Sequence, residues 1–366
     1  MTLTQTQSQE AKASAPHRNT ITLNNGNGFT KPFQLLGLWD EYKQSEITPL
    51  IGNIFEDVNL SEVLRSPDCD AKLADLAVLI SRRGLCVFPK QTDLSVPDQK
   101  LLCRKLGQLS TRPYASDLWI HPVNQTLLPD GTLDGEVMSP SRDPKKKLYT
   151  KEGGYATATA KNQSRADGWH TDGSFEHVPA DYTLLHMKMC PGTGGDTLFA
   201  SAYEAYDLLS APMQQMLEGL QATFMPPHHS PELIEDRLWP GSRGAPENVG
   251  SDLRATHPCI RTNPVTGWKG LYAFGHHLER IEGLGNVENN MMLEFLQRLI
   301  TENHQIQARV KWAQDDLVIW DNRAVYHCAT YDYGGTGIRK ANRVCGCGEV
   351  PYLDPRSSGR RHALGI

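Results

Sequence analysis

No apolar run in this 366-residue chain approaches the ~18 residues of a membrane-spanning helix. The residues before Ile21 are polar, mostly Gln, Ser, Thr and Lys, and lack the apolar centre of a secretory leader. There is no excess of base: 37 Lys and Arg stand against 42 Asp and Glu, a formal net charge of -5. That balance gives no electrostatic footprint for nucleic acid and argues equally against a membrane-surface role. The C-terminal Ala-Leu-Gly-Ile matches no targeting signal. No segment repeats at the period of a solenoid or propeller. The expectation is a cytoplasmic protein whose partners include neither nucleic acid nor membrane, with a homo-oligomer left open.

Clustered cysteine is missing too. Cys69, Cys86, Cys103, Cys190, Cys259, Cys328, Cys345 and Cys347 are scattered through a long chain, which reads as reduced thiols. Cys345 and Cys347 are a close pair without a second pair at zinc-ribbon spacing. They read as two small residues on one face of a strand. A domain of this length buries about 75% of the surface its unfolded chain exposes, so no disulfide is needed. Residues 1–28, rich in Ser, Thr, Gln, Asn and Gly, read as a disordered tail. The remainder, 29–366, reads as a single domain.

Within it, Leu60, Val63, Leu64, Leu73, Leu76 and Leu79 recur at helical intervals with interruptions, and Gly84 stops the pattern. Leu85-Cys86-Val87-Phe88 reads as a short buried strand, and 98–107 as a second helix. The polar stretch 139–167, with Lys145, Lys146, Lys147 and paired glycines at 153 and 154, reads as a long loop of the kind that often covers a site. Residues 182–189 alternate between Pro179 and Pro191 as a strand. Residues 202–220 read as a helix with a break at Ser210-Ala211-Pro212, and 225–250 as loop. Strands are expected at 259–261 and 271–274 around a turn at 263–267, and at 307–312, 317–320 and 343–350. Met292, Leu293, Leu296, Leu299 and Ile300 share one face of a helix over 289–303. The fold class is α+β, β-rich, with flanking helices and no βαβ alternation.

The chemistry-bearing residues begin at Trp169-His170-Thr171-Asp172. Residues two apart on extended chain point the same way, so His170 and Asp172 can bind one metal. A third ligand is available in His327, after a buried strand and the polar turn Asp321-Asn322-Arg323. Two histidines and a carboxylate form the facial triad of non-haem iron enzymes.

Four motifs then occur in order: Trp-His-Thr-Asp at 169–172, Gly-Gly-Asp-Thr at 194–197, Ile-Trp-Asp-Asn-Arg at 319–323, and His327 followed by arginines. Over roughly residues 48–352 the chain resembles the taurine dioxygenase family, in its longer, fungal-type form. The resemblance implies a double-stranded β-helix, or jelly roll, with iron in the barrel mouth. It implies Fe(II), 2-oxoglutarate and O2 as cofactor and co-substrates, with succinate and CO2 formed as a substrate C–H bond is hydroxylated. His170, Asp172 and His327 match the iron ligands. Thr197 and Arg339 match the pair that holds the distal carboxylate of 2-oxoglutarate; Arg339 lies one residue later than the family spacing, which Gly334-Gly335-Thr336-Gly337 can absorb in a turn. Arg343 and His121 match contacts to the substrate's sulfonate.

Two positions depart from the pattern. Ala166 stands where the bacterial taurine enzyme has asparagine, and Asn124 where it has tyrosine. Both groups serve the amine end of taurine, so their absence weakens the case for taurine and leaves the anion site intact; the expectation is a small anionic substrate, an organosulfonate or sulfate ester. The same chemistry on a carboxylate or secondary-metabolite intermediate is the alternative. A metal-dependent hydrolase or isomerase on a similar barrel and a non-catalytic jelly-roll binding module are more remote. Trp169, Phe175, Phe199, Phe274 and Trp320 are expected either in the core or as the wall of a dry pocket.

Overall fold

Strands whose successive residues are all apolar stand at the centre of the molecule, because both of their faces are covered. The computed structural model describes residues 32–127, 131–139, 166–227, 237–330, 332–333 and 337–366. The tail expected at 1–28, the lysine run, nearly all of the loop at 139–167 and the turn residues Gly334, Gly335 and Thr336 lie outside the described residues.

The larger sheet has six strands in the order Gln44–Glu46, Asn53–Phe55, Leu85–Phe88, Leu317–Asp321, Ala180–Met189 and Lys340–Cys347. Its pairings are antiparallel except that of Asn53–Phe55 with Leu85–Phe88. Alternation sorts the two faces. Cys86, Phe88, Tyr182, Leu184, Leu317 and Ile319 pack outward against Leu73, Leu76, Ile80, Leu102 and Leu106. These last come from the helices Cys69–Arg83 and Val96–Gln108. Leu85, Val87, Leu185, Met187, Val318 and Trp320 face inward, toward a smaller sheet ordered Gln307–Val310, Thr197–Ser201, Val325–Ala329. Two facing sheets of this kind are the two walls of a jelly roll. Among the described residues no helix is long and apolar enough to cross a membrane.

Several expected elements sit where the pattern puts them. Ser95 and Asp98 form a capping box that starts the second helix at Val96. The expected helix over 202–220 is two, Ala202–Asp207 and Ala211–Glu218, broken at Ser210. The strand expected at 271–274 is instead Lys269–Leu271, because the N–H groups of Tyr272 and Ala273 both turn to the Cys259 carbonyl. The strand expected at 343–350 begins at Lys340 and ends at Cys347. A three-stranded sheet of Leu278–Ile281, Gln221–Phe224 and Ala255–Pro258 was not expected; each strand is only four residues long, too short for a periodic signal.

Cys345 and Cys347 both point into the main core, as their spacing predicts. Gly346 between them has a specific task. Arg112 donates to Asp181 through Nε at 2.8 Å and Nη2 at 2.7 Å, with both side chains fully buried. A Cβ on Gly346 would lie 1.6 Å from Arg112 Nη2. Gly346→Ala must therefore expel the guanidinium and strand the buried Asp181 carboxylate. The expected cost is about 3–5 kcal/mol, the usual penalty for breaking a buried pair, measurable by urea denaturation.

Candidate active site

His170 sits just ahead of a turn, and His327 lies in the middle of the strand Val325–Ala329. Their backbones form an antiparallel bridge: each N–H donates to the other's carbonyl, at 3.0 Å from His170 and 2.9 Å from His327. Residues opposed in this way project their side chains to one side, and the two rings are 4.2 Å apart. Asp172 Oδ1 faces both, 3.9 Å from His170 Nε2 and 3.8 Å from His327 Nε2. The three donor atoms lie within 4.8 Å of one another, a spacing found for no other group of His, Cys, Asp or Glu among the described residues.

Each ligand is aimed separately. His170 Nδ1 is 3.1 Å from the Gly168 carbonyl, which can only accept, so Nδ1 carries the proton and Nε2 presents its lone pair. His327 is held by packing, with Trp320 at 4.8 Å and Phe199 at 6.2 Å between ring centres. Asp172 is fixed by a directed chain. Asn322 Nδ2 donates to Thr183 Oγ1 at 2.8 Å, and that hydroxyl donates to Asp172 Oδ2 at 2.9 Å. Asn322 Oδ1 accepts from the Asp172 N–H at 3.0 Å and from Trp320 Nε1 at 3.1 Å. Gly275 closes the arrangement. Its φ is +104°, and a Cβ there would sit 3.0 Å from the Trp169 carbonyl oxygen and 3.1 Å from His170 Cα.

The electrostatics suit a divalent cation. Burial would raise the Asp172 carboxyl, but the Arg343 guanidinium beside it, with the Thr183 hydroxyl, holds it well below the usual carboxylate range. Burial depresses both histidines, leaving neutral imidazoles. An ionised carboxylate and two neutral imidazoles are the protonation states a metal requires, so the residues present fit iron.

The same inner face carries the expected carboxylate clamp. Thr197 pairs with Ala329 across the small sheet, one diagonal from His327. Its Oγ1 accepts from Arg339 Nη2 at 3.2 Å and from Trp312 Nε1 at 3.0 Å, while Arg339 Nε donates to the Gly195 carbonyl at 2.9 Å. Arg343 projects from the larger sheet, but the anion that meets it is Asp172, whose Oδ1 accepts from Nη1 at 2.8 Å. His121 is buried and accepts at Nδ1 from the Val123 N–H at 3.2 Å. Burial first, and then the Arg343 guanidinium, push its pKa down to about 3, which places it in the same charged neighbourhood.

Of the five aromatics, Phe199 and Trp320 wall His327, Phe175 packs on His277 at 4.9 Å, Trp169 is buried beside the first ligand, and Phe274 is core packing against Tyr326. Sequence reasoning gave no role to Asn322 or Thr183, although Asn322 lies inside a quoted motif. It also passed over His276 and His277. Their rings stand 4.6 and 5.9 Å from His170, and the two Nε2 atoms are 3.0 Å apart. Adjacent histidines in Gly275-His276-His277 were the available signal. Asn322→Ala removes the acceptor that fixes the Asp172 backbone and the donor behind Thr183. Mn(II) affinity, read from the EPR signal of the free ion, is expected to fall about 10–100-fold.

Comparison with known proteins agrees with this geometry. An alpha-ketoglutarate-dependent dioxygenase, btcD, of Neocamarosporium betae is 42% identical to the chain, covering 91% of it and 98% of the relative. The alpha-ketoglutarate-dependent sulfonate dioxygenase of Saccharomyces cerevisiae is 31% identical, covering 86% and 69%. The crystal structure of a taurine dioxygenase from Burkholderia xenovorans shares the fold, with a TM-score of 0.62 at 24% identity over 87% of this chain and 92% of that one. The family model described as taurine catabolism dioxygenase TauD, TfdA family matches residues 43–345, and the chain belongs to that family of Fe(II)- and 2-oxoglutarate-dependent dioxygenases.

Proposed function

We propose that His170, Asp172 and His327 hold the iron, that Thr197 and Arg339 bind the distal carboxylate of 2-oxoglutarate, and that Arg343, with His121, meets the anionic head group of a small organosulfonate or sulfate ester. The observation that carries this reading is the convergence of the ligand cluster, the Thr197–Arg339 pair and Arg343 on the inner faces of two facing sheets. Bound iron supplies the oxygen chemistry that couples decarboxylation of 2-oxoglutarate to hydroxylation of the substrate. The chain's own residues bind, orient and shield. Arg339 offers a guanidinium fork that matches a carboxylate with parallel hydrogen bonds. Thr197 Oγ1 already accepts from Arg339 and Trp312, so its own proton is directed at the same ligand. Phe199 and Trp320 exclude water beside His327.

The likeness to the yeast sulfonate dioxygenase supports the head-group assignment. Ala166 and Asn124 offer no replacement for the amine contacts of the taurine enzyme, so a non-amino sulfonate competes with taurine or exceeds it. Hydroxylation at the carbon bearing the head group would release sulfite or sulfate. A second reading is oxidation of a carboxylate or a secondary-metabolite intermediate, and one observation favours an uncharged metabolite: Asp172 already neutralises Arg343, so no external anion is needed to offset that charge.

The deciding measurement is succinate release across sulfonates, sulfate esters, carboxylates and neutral analogues, in the wild type and in Arg343→Ala. The sulfonate reading expects kcat/KM to favour the sulfur oxyanions and to lose that preference in the variant. A neutral analogue turned over equally well by both proteins would establish the second reading. Arg339→Ala is expected to raise the 2-oxoglutarate requirement about 10- to 150-fold, the equivalent of ~1.5–3 kcal/mol for a charge-assisted pair. A rise confined to the primary substrate would exchange the roles of Arg339 and Arg343.

A further inference from the structure

One carboxylate oxygen serves two cationic sites. Asp172 Oδ1 faces the Nε2 atoms of His170 and His327, and it also accepts from Arg343 Nη1 at 2.8 Å. The other oxygen is turned to different donors: Oδ2 accepts from Thr183 at 2.9 Å and has the Cys345 thiol at 3.9 Å. The Asp172 side chain is 3% exposed and that of Arg343 17%, so the charges are weakly screened. The Arg343 backbone is fixed on both sides. It pairs with Leu185 within the larger sheet, and it exchanges hydrogen bonds with Met138 at 2.7 and 2.9 Å. Only the side chain is able to respond when the charge around it changes.

With neutral imidazoles, the Asp172 carboxylate and the Arg343 guanidinium cancel. A divalent metal at Oδ1 brings the net charge of this buried site to +2, one part of it on the guanidinium, which no longer has the carboxylate to itself. Such a site is stable only if an anion enters. We infer that Arg343 is an exchangeable counter-ion: it neutralises Asp172 until metal takes that oxygen, and its released charge then recruits the anionic head group of the substrate. The inference rests on the proposed triad and on an anionic substrate. It adds that metal and substrate anion are thermodynamically coupled through one side chain. Linkage requires each to tighten the other by the same factor.

The test is Mn(II) binding to the full chain without 2-oxoglutarate, read from the EPR signal of the free ion, with and without methanesulfonate at an ionic strength held by sodium chloride. In the wild type, methanesulfonate is expected to tighten Mn(II) binding about fivefold or more, the lower end of typical coupling between sites. Arg343→Gln is expected to bind Mn(II) more tightly than wild type without methanesulfonate, and to show no further gain when it is added. Arg343→Lys keeps the charge and is expected to keep the coupling; it carries the comparison if the Gln variant does not fold. Mn(II) affinity in Arg343→Gln equal to or below wild type would mean that Arg343 merely supports the carboxylate, and would overturn the exchange. So would a methanesulfonate effect of the same size in wild type and Arg343→Gln. Failure of the underlying reading looks different: His170→Ala would then bind Mn(II) as tightly as wild type.

Discussion

Two backbone hydrogen bonds between His170 and His327 are the constraint on which the rest of the site depends. The residues are 157 positions apart in sequence, yet the bridge makes them direct neighbours on the edge of the smaller sheet. Closing so long a segment costs little more than closing a short one, because loop entropy grows only logarithmically with length. Once Val325–Ala329 has paired with Thr197–Ser201, His327, Phe199 and Thr197 share an inner face by strand periodicity. The bridge then adds His170 to that face, and Asp172 follows two residues on. The proposed metal ligands and Thr197 of the proposed carboxylate clamp thus derive from one ladder.

The cost of this arrangement is a carboxylate buried between two sheets. It is offset by Arg343 and by the Thr183 hydroxyl, while Asn322 accepts from the Asp172 N–H and fixes the backbone that carries it. Asn322 sits in a turn that is itself buttressed. Arg323 donates to Asp321 at 2.7 and 3.0 Å, and the Asp321 carboxylate also accepts from Ser81 and Asn263. The Trp-Asp-Asn-Arg stretch therefore works as one unit. Asp321 and Arg323 hold the turn, Trp320 packs on His327, and Asn322 orients Asp172.

The parts legible in the sequence were those with a strong local signal. Leu85–Phe88 and Leu317–Asp321 announced themselves as apolar runs because they are covered on both faces, and Ala180–Met189 as an alternating stretch between two prolines. The helix break at Ser210 was marked by the proline that follows. His170, Asp172 and His327 were legible through motif order. The four-residue strands of the third sheet had too few positions to show a period. The partner of Arg343 was equally hidden. Sequence places its backbone, but which of several nearby acids meets a long, flexible guanidinium is settled by the fold across 171 positions. His276 and His277 escaped because their approach to His170 depends on the conformation of Gly275.

The last strand of the larger sheet, Lys340–Cys347, would present an open edge, but it is sealed by bridges from Met138 to Arg343 and from Leu118 to Gly346. An exposed edge invites pairing with other chains, and this one is protected. The seal also has a consequence for chain synthesis. Met138 is made 205 positions before Arg343, so neither partner of this edge is covered until the last strand of the sheet has emerged, and the wall it completes is among the last parts of the domain to close.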